Sequence, residues 1–171
     1  MYCSQKSSVN SINNQVKLVA KEQGRCYLEH LFENKRLTSI WNITMIAAVG
    51  VDIAEIARME RVISRWGDHF LRKILTDREY AYCTLKSNMV FSVAARFAAK
   101  EAVYKSLPEH AQSTSRWHDI EVIHTDSGKP TVVCHGSLEA LTAEMSWHLS
   151  LSHSNASAVA FVVLETKEEQ Q

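Results

Sequence analysis

The stretch Phe91-Ser-Val-Ala-Ala-Arg-Phe-Ala-Ala-Lys-Glu-Ala-Val-Tyr-Lys-Ser-Leu107 decides the fold of this chain. It is rich in residues that favour helices, and neither Pro nor Gly interrupts it before Pro108. We therefore predict a central helix over these residues. At about 100° per residue, its apolar side chains form one continuous arc that also contains Glu101 and Lys105. The apolar members of this arc are Val90, Val93, Ala94, Phe97, Ala98 and Tyr104.

Glu101 is the unusual residue of the predicted helix. A carboxylate surrounded by apolar groups is unfavourable unless it is protonated, paired with a cation or bound to a metal. Lys105 stands one helical turn further along and offers an ion pair on the same face. A metal-binding or catalytic role is the alternative. The spacing of the two residues leaves both explanations open.

The segment from Ile46 to Ile53 alternates in the manner of a β-strand. One face carries Val49, Val51 and Ile53, and the other carries Gly50 and Asp52. Asp52 comes where this strand is expected to end, which is a common place for a carboxylate that forms a turn or caps a helix. A role in a functional site is the alternative for this residue.

Two further helices are predicted between this strand and the central helix. The first runs from Ala54 to Trp66 and stops at Gly67, and the second runs from Asp77 to about Lys86. The second begins with a capping-box spacing between Thr76 and Glu79. In the first helix the predicted buried stripe is Ile56, Met59, Ile63 and Trp66. The opposite side of that helix carries Arg58, Arg61 and Arg65.

After the central helix the pattern changes to short β segments. The first predicted hairpin joins Asp119–His124 to Thr131–His135, and the second joins Trp147–Ser152 to Ala156–Glu165. A short helix from Ser137 to Met145, capped by Ser137, separates them. This order of elements predicts an α+β fold in which an antiparallel sheet packs on the long central helix.

The composition is typical of one soluble globular domain, with 171 residues, 46% of them hydrophobic and 22% charged. Lys and Arg together number 19, as do Asp and Glu, so no overall field favours nucleic acid or an anionic membrane. The apolar run Ile43–Ala54 is too short to span a bilayer, and no basic segment precedes it as in a signal peptide. The cysteines form neither a CxxC pair nor a ligand cluster, which indicates reduced thiols in a cytoplasmic protein.

The segment Arg96-Phe-Ala-Ala-Lys-Glu-Ala-Val-Tyr-Lys105 resembles the central motif of the holo-acyl-carrier-protein synthases, a family of 4'-phosphopantetheinyl transferases. Other segments resemble that family's remaining blocks in the same order. They are Gly50-Val-Asp-Ile53 followed by Arg58, Ile74-Leu-Thr-x-x-Glu79, Asp119-Ile-Glu-Val122, Gly128-Lys-Pro130 and Leu149-Ser-Leu-Ser-His-Ser154. The resemblance implies the fold of these transferases, over nearly all of the chain except its N-terminal quarter.

Residues 1–44 lie outside every matching block, so we expect residues 45–171 to form the transferase domain. The segment from Met1 to Thr44 mixes polar and charged residues, with a weak helical pattern near Val16 to Phe32. We interpret it as an N-terminal extension that is either disordered or weakly helical. A docking arm for a partner and an assigned start placed upstream of Met45 are the alternatives.

The resemblance implies transfer of the phosphopantetheine arm of coenzyme A to a serine of apo acyl carrier protein, with release of 3',5'-ADP. Breaking a pyrophosphate demands a hard cation, and the resemblance makes Asp52 and Glu101 the ligands of Mg²⁺. It places Lys105 where its ammonium stabilises charge on a phosphate oxygen. The attacking serine belongs to the carrier protein. The sequence leaves open whether Glu101 or a metal-bound water removes the serine's proton.

Four residues are placed near coenzyme A by the resemblance. They are Arg96, Lys100, Lys105 and His153. A solvated helix edge is the alternative for Arg96 and Lys100, and a solvated hairpin turn is the alternative for His153.

The resemblance also implies two protein interfaces. Arg58 stands where the family places a basic residue against the acidic carrier protein, and Arg61 and Arg65 lie on the same side of the helix. A solvated charged face is the alternative for all three. The family forms homotrimers with active sites at subunit junctions, so we expect a homotrimer here.

One departure from the family follows the central helix. These synthases usually carry Phe-Gly-Thr-Gly there, where this chain has Ser106-Leu-Pro-Glu-His-Ala111. The change argues against backbone amides that cradle a phosphate at this turn. It motivates an alternative, a non-catalytic module that binds coenzyme A or a carrier protein on the same fold. The retained Asp52, Glu101 and Lys105 favour the enzyme, whose carrier protein could serve fatty-acid or polyketide synthesis.

Overall fold

The computed structural model describes residues 45–166. In chain order the elements are β1 Ile46–Glu55, α1 Ile56–Ile74, α2 Asp77–Thr84, α3 Met89–Ser106, α4 Glu109–Gln112, a 3-10 turn Trp117–Asp119, β2 Ile120–His124, β3 Pro130–Cys134, α5 Ser137–Leu141, β4 Met145–His153 and β5 Ser157–Thr166. β1, β5 and β4 form one antiparallel sheet in that order, and β2 and β3 form a separate hairpin. This is the predicted α+β architecture.

The predicted central helix is α3, which packs against β1, β5, α1, β2 and β4. Because several elements enclose it, its buried surface is wider than a single arc. Within the predicted arc Val93, Ala94 and Ala98 are buried, and outside it so are Ala99, Ala102 and Val103. Tyr104 and Lys105, which the arc placed towards the core, are exposed in the last turn of the helix.

β1 approaches α3 closely through small residues. A Cβ built on Gly50 would lie 1.9 Å from the backbone oxygen of Ala102, so this contact requires glycine. Asp52 and Ala54 share the inward face with Gly50. β1 continues to Glu55, so Asp52 lies within the strand and not at its end as predicted.

The alternation predicted for β1 is correct, but its branched apolar side chains point away from the core. Val49, Val51 and Ile53 are exposed, because the helix can approach only the face with small side chains. Phe161 of β5, which pairs with Val51, is also exposed. We call these four residues the outer sheet face, and it is an unusually apolar surface for a single chain.

α1 and α2 follow the predicted positions with two differences. The first helix does not stop at Gly67, whose φ of 51° and ψ of −133° make a kink; it resumes beyond this residue and ends at Ile74. Trp66, predicted to be buried, is 55% exposed because it directly precedes this kink. The capping box is present, since the Glu79 amide donates to Thr76 Oγ1 at 3.2 Å and the Thr76 amide donates to Glu79 Oε2 at 2.9 Å.

Both predicted hairpins are present, as β2–β3 and β4–β5. The helix between them is shorter than predicted and ends at Leu141. Its N-cap is Gly136, with a φ of 59°, and not Ser137. This positive φ favours glycine. The helix therefore begins at a glycine turn and has no side-chain cap.

Cys83 and Cys134 are buried free thiols, as predicted, and burial raises the pKa of each. Cys3, Cys26 and the extension predicted over residues 1–44 lie outside the described residues. No helix within residues 45–166 combines the length and hydropathy needed to cross a membrane. The cytoplasmic location stays a prediction.

Candidate active site

Asp52 and Lys105 meet where β1 packs on α3. The Lys105 ammonium donates to Asp52 Oδ1 at 2.7 Å and to the backbone oxygen of Val51 at 3.2 Å. The hydrogen bond to Asp52 raises the pKa of Lys105. Lys105 therefore pairs with the strand, and the Glu101–Lys105 pair that spacing alone offered is not among the ion pairs within residues 45–166.

Glu101 lies one turn before Lys105 and is partly buried. Burial raises its pKa, and the charge of Asp52 raises it further, while Lys105 acts in the opposite direction. The negative charge of Asp52 thus acts on the Glu101 carboxylate electrostatically. These three residues, which we call the carboxylate site, contain two carboxylates and one ammonium, so one negative charge is left without a partner.

The carboxylate site has the donor set that Mg²⁺ prefers. Carboxylate oxygens are hard ligands, and protein-bound Mg²⁺ is commonly held by one or two carboxylates while water and phosphate complete its coordination. Within residues 45–166 no group of three or more His, Cys, Asp and Glu side chains could hold a metal. Asp52 and Glu101 therefore fit Mg²⁺ better than a metal that needs a full set of protein ligands.

A cavity of about 380 Å³ adjoins Glu101. Its lining comes from α3, from the stretch between Gln112 and Trp117, and from β2. The lining residues are Lys100, Glu101, Tyr104, Gln112, Ser115, Arg116, Trp117 and Ile120. The segment that departs from the family pattern does not line the cavity itself; the chain that follows it, from Gln112 to Trp117, forms one wall.

Arg96 and Lys100 do not lie on a solvated helix edge, contrary to that alternative. Arg96 is 3% exposed and Lys100 is fully buried. Lys100 forms an ion pair of 2.7 Å with Glu79, and it also donates to the backbone oxygens of Ile74 and Trp117 at 2.7 and 2.8 Å. Its ammonium is committed to the protein, which argues against direct contact with coenzyme A.

Arg96 belongs to a second group of charged and aromatic residues. Its guanidinium lies over the Tyr82 ring at 4.1 Å, and its buried Nε has no hydrogen-bond partner within residues 45–166. Lys86 also lies over Tyr82, at 4.4 Å, and His124 stacks on the same ring with centroids 5.1 Å apart. Burial, followed by the charges of Arg96 and Lys86, lowers the pKa of His124. We call these four residues the cationic cluster.

Sequence reasoning identified only Arg96 in this cluster. Tyr82 and Lys86 come from α2 and the turn after it, and His124 comes from the end of β2. None of them stands in a local motif. Only the packing of α2 and β2 beside α3 brings them together, so a sequence signal could not have found them.

His153 lies apart from the carboxylate site within this chain. It is exposed at the end of β4, and its ring meets that of Phe91 edge-on at 5.7 Å. Phe91 precedes Glu101 by ten residues of α3, which corresponds to about 15 Å along the helix. His153 therefore lies towards the Arg96 end of the helix.

The predicted partner-binding arginines are exposed on α1. Arg58, Arg61 and Arg65 all face solvent, and Arg65 lies over the Trp66 ring at 5.1 Å. Arg58 also borders a cavity of about 200 Å³. The other residues that line it are Ile53, Ala54, Glu55, Met59, Val62, Phe70 and Phe97. A basic rim thus adjoins a mainly apolar depression.

Comparison with known proteins agrees with this geometry. A family model described as the 4'-phosphopantetheinyl transferase superfamily matches residues 48–163. A holo-[acyl-carrier-protein] synthase of Koribacter versatilis is 43% identical over 124 residues, which cover 71% of this chain and 99% of that protein. A crystal structure of a holo-(acyl-carrier-protein) synthase from Bacillus anthracis in complex with CoA (3',5'-ADP) is 37% identical, with a TM-score of 0.58 and coverage of 72% and 99%. The Neisseria meningitidis holo-[acyl-carrier-protein] synthase has a TM-score of 0.63 at 29% identity, with coverage of 71% and 100%. The resemblance is confirmed: this chain belongs to the 4'-phosphopantetheinyl transferase superfamily.

Proposed function

We propose that this chain transfers the 4'-phosphopantetheine arm of coenzyme A to a serine of an apo acyl carrier protein. The observation that carries the proposal is the meeting of Asp52, Glu101 and Lys105 at the contact between β1 and α3. The named relatives of this chain are holo-[acyl-carrier-protein] synthases, and the Bacillus anthracis protein binds CoA (3',5'-ADP). The carrier protein would serve fatty-acid or polyketide synthesis, and the reaction would take place in the cytoplasm.

In the proposed reaction the serine oxygen forms a bond to the phosphorus that carries pantetheine. The bond from that phosphorus to the bridging pyrophosphate oxygen breaks, and 3',5'-ADP leaves with the electron pair. Glu101 accepts the serine proton; without a bound ion, burial and the charge of Asp52 raise its pKa, which suits a general base. Lys105 stabilises the charge that develops on the phosphate oxygens.

Asp52 and Glu101 would hold Mg²⁺. When bound, the ion supplies a Lewis acid that neutralises charge on the pyrophosphate. The unpaired negative charge of the carboxylate site supports this assignment. Lys105 keeps Asp52 in place through the 2.7 Å hydrogen bond, and the close approach of β1 at Gly50 keeps the two carboxylates on facing elements.

The cationic cluster would bind a phosphate of coenzyme A. Three of its residues are cationic or can become so, and the buried Nε of Arg96 lacks an acceptor within the described residues. A phosphate oxygen is a strong acceptor for a guanidinium. Lys86 would add a positive charge, so we assign the substrate-binding role to Arg96 and not to Lys100.

We further propose a homotrimer. The outer sheet face offers Val49, Val51, Ile53 and Phe161 as a contiguous apolar surface, which would be buried between subunits. His153 would then act from a neighbouring subunit, because it lies away from Glu101 in its own chain. Sedimentation of only monomer at micromolar concentration would contradict this assembly.

Arg58, with Arg61 and Arg65, would contact the acidic surface of the carrier protein. The exposed basic rim supports this placement, and the neighbouring depression offers room for an apolar side chain of the partner. Interfaces of this kind combine a polar rim with an apolar centre.

The test is a mass-shift assay with apo acyl carrier protein, coenzyme A and Mg²⁺, with Asp52→Ala as the control. We expect the carrier protein to gain one phosphopantetheine with the wild type and none with the variant. The α4 segment in place of the glycine turn favours a second candidate, a module that binds without transfer. Binding of coenzyme A without any mass shift would support that candidate.

Residues 45–171 form the proposed transferase domain, and residues 1–44 form an extension. The family model matches residues 48–163, which supports this boundary. A chain shortened to residues 45–171 should keep its solubility and its transfer rate. Loss of either would show that the extension contributes to the domain.

A further inference from the structure

Lys100 saturates its hydrogen-bonding capacity inside the protein. A lysine ammonium has three N–H donors, and those of Lys100 have three acceptors: Glu79 Oε2 and the backbone oxygens of Ile74 and Trp117. The acceptors belong to three segments, namely α2, the end of α1 and the 3-10 turn. Lys100 directly precedes Glu101, so it connects these segments to the helix position that carries the site.

Glu79 extends the connection to β2. Its Oε2 also accepts from the amide of Thr76, and its Oε1 accepts from the amide of Val122 at 2.9 Å. Neither side chain of the Lys100–Glu79 pair has solvent-exposed area. The end of α1, α2, the 3-10 turn and β2 are therefore all joined to α3 through one buried ion pair.

Stability alone is a weak reason for this pair. Burial lowers the pKa of Lys100 against the opposing effect of Glu79, which indicates that desolvation is unfavourable there. Apolar residues of similar volume often replace a buried ion pair without loss of stability. Apolar side chains cannot, however, hold the carbonyls of Ile74 and Trp117 in fixed positions, because dispersion contacts are not directional.

The position of Trp117 affects the site. Trp117 lines the cavity beside Glu101, and its ring stacks on Phe97 of α3 with centroids 5.1 Å apart. The next residue, His118, donates through Nε2 to the carbonyl of Arg72 at 2.8 Å on the protein surface. The 3-10 turn is thus attached through the buried Lys100 hydrogen bond, the ring stack on Phe97 and the exposed His118 hydrogen bond, and its Asp119 carbonyl accepts from the His135 amide at 2.8 Å.

We propose that the Lys100–Glu79 pair positions the cavity wall, by fixing Trp117 relative to Glu101. Both members are positioning residues: Lys100 borders the cavity, but its ammonium is directed to protein acceptors, and both side chains are fully buried. The proposal rests on the proposed transferase function and adds to it a pair that acts through Trp117. It also explains why Lys100 of the motif is buried although the next residue, Glu101, must remain accessible to substrate.

The test combines Glu79→Gln with Lys100→Met in the full chain. Removing both charges avoids an unpaired buried ion, and glutamine keeps an acceptor for the Val122 amide. Leu138→Ala is the stability control, because Leu138 is buried but lines neither described cavity. His118→Ala is the local control, since it removes only the exposed attachment of the same turn.

Two measurements are made at a temperature at which every variant is folded. They are hydrogen exchange of the peptide 113–119 and kcat/KM for coenzyme A. We expect the double variant to exchange roughly tenfold faster in that peptide, since local opening sets exchange, and to lose roughly tenfold or more in kcat/KM. Both controls should stay within about threefold of the wild type.

Wild-type exchange or wild-type kcat/KM in the folded double variant would overturn the proposal. If the methionine variant does not fold, Glu79→Gln with Lys100→Gln must show both effects in smaller measure, because glutamine can still donate to one carbonyl. A wild type without any transfer would refute the proposed function instead. The exchange comparison alone would then decide whether the pair fixes the turn.

Discussion

Lys100 and Lys105 lie on the same helix and in the same motif, yet the molecule uses them in opposite ways. Lys100 is fully buried and its three donors are occupied by protein acceptors. The Lys105 side chain is 50% exposed, and its two hydrogen bonds to β1 leave one donor for a substrate. Burial thus separates a structural support from a group that is available for chemistry.

The largest expected effect comes from removing one of the two carboxylates that lie near the exposed Lys105. Asp52→Ala and Glu101→Ala should each abolish Mg²⁺-dependent transfer, because each removes one of the two carboxylates proposed to hold the ion. Both variants should fold, since the carboxylate site already holds an excess of negative charge. Transfer assays and circular dichroism measure the two properties.

Val133→Ala provides a control on partly buried β3, away from these side chains. Turnover at the wild-type rate by either carboxylate variant would refute the metal site. Unfolding of both would place Asp52 and Glu101 among the residues that stabilise the fold.

Lys105→Met should lower kcat by roughly 100-fold, the typical cost of losing one group that stabilises transition-state charge. Its thermal midpoint should stay near that of the wild type, because an exposed ion pair contributes little to stability. The contrast with Lys100 is then direct: Lys100→Met should lower the thermal midpoint as well. Thermal unfolding and steady-state kinetics of both variants test this contrast. Equal thermal midpoints for Lys105→Met and Lys100→Met would show that the two lysines do not differ in their contribution to stability.

The sequence predicted the elements of the fold well because their signals are local. The helix over Phe91–Leu107 lacks breakers, the Thr76–Glu79 capping box has a fixed spacing, and both hairpins carry turn residues. Alternation alone did not predict the exposed face of β1, since it does not say which face a helix covers. Gly50 was the available signal, because a strand glycine often marks close backbone approach.

For the site, the motif resemblance supplied Asp52, Glu101 and Lys105, and their meeting is seen in the structure. The structure argues against direct contact of Lys100 with coenzyme A, for a physical reason. Its acceptors, Glu79 and two backbone oxygens, come from distant segments, so no periodicity in α3 could reveal them. The cationic cluster was missed for the same reason.

Arg58→Glu tests an exposed residue of α1 and should have a smaller effect than the changes above. We expect the KM for carrier protein to rise about tenfold and the KM for coenzyme A to change little, because charge on a polar rim mainly affects encounter with an acidic partner. The wild-type advantage should fade as ionic strength rises. Lys73→Glu, at the exposed end of α1, makes the same charge change as a control. Equal losses for both substrates would place Arg58 in the nucleotide site or the fold.

The smallest expected effect concerns Glu101, which lies between the two lysines in sequence and is only partly buried. Burial and the charge of Asp52 raise its pKa above that in the unfolded chain. Between the two pKa values the folded state therefore binds more protons than the unfolded state, so stability falls as the pH rises through this window. Glu101→Gln removes the titration, and its thermal midpoint should fall less than that of the wild type when the pH is raised from acid towards neutrality without Mg²⁺. Added Mg²⁺ should reduce the difference, because the ion favours the ionised carboxylate. Parallel melting curves for the two proteins would show that Glu101 titrates normally and would weaken its assignment as the base.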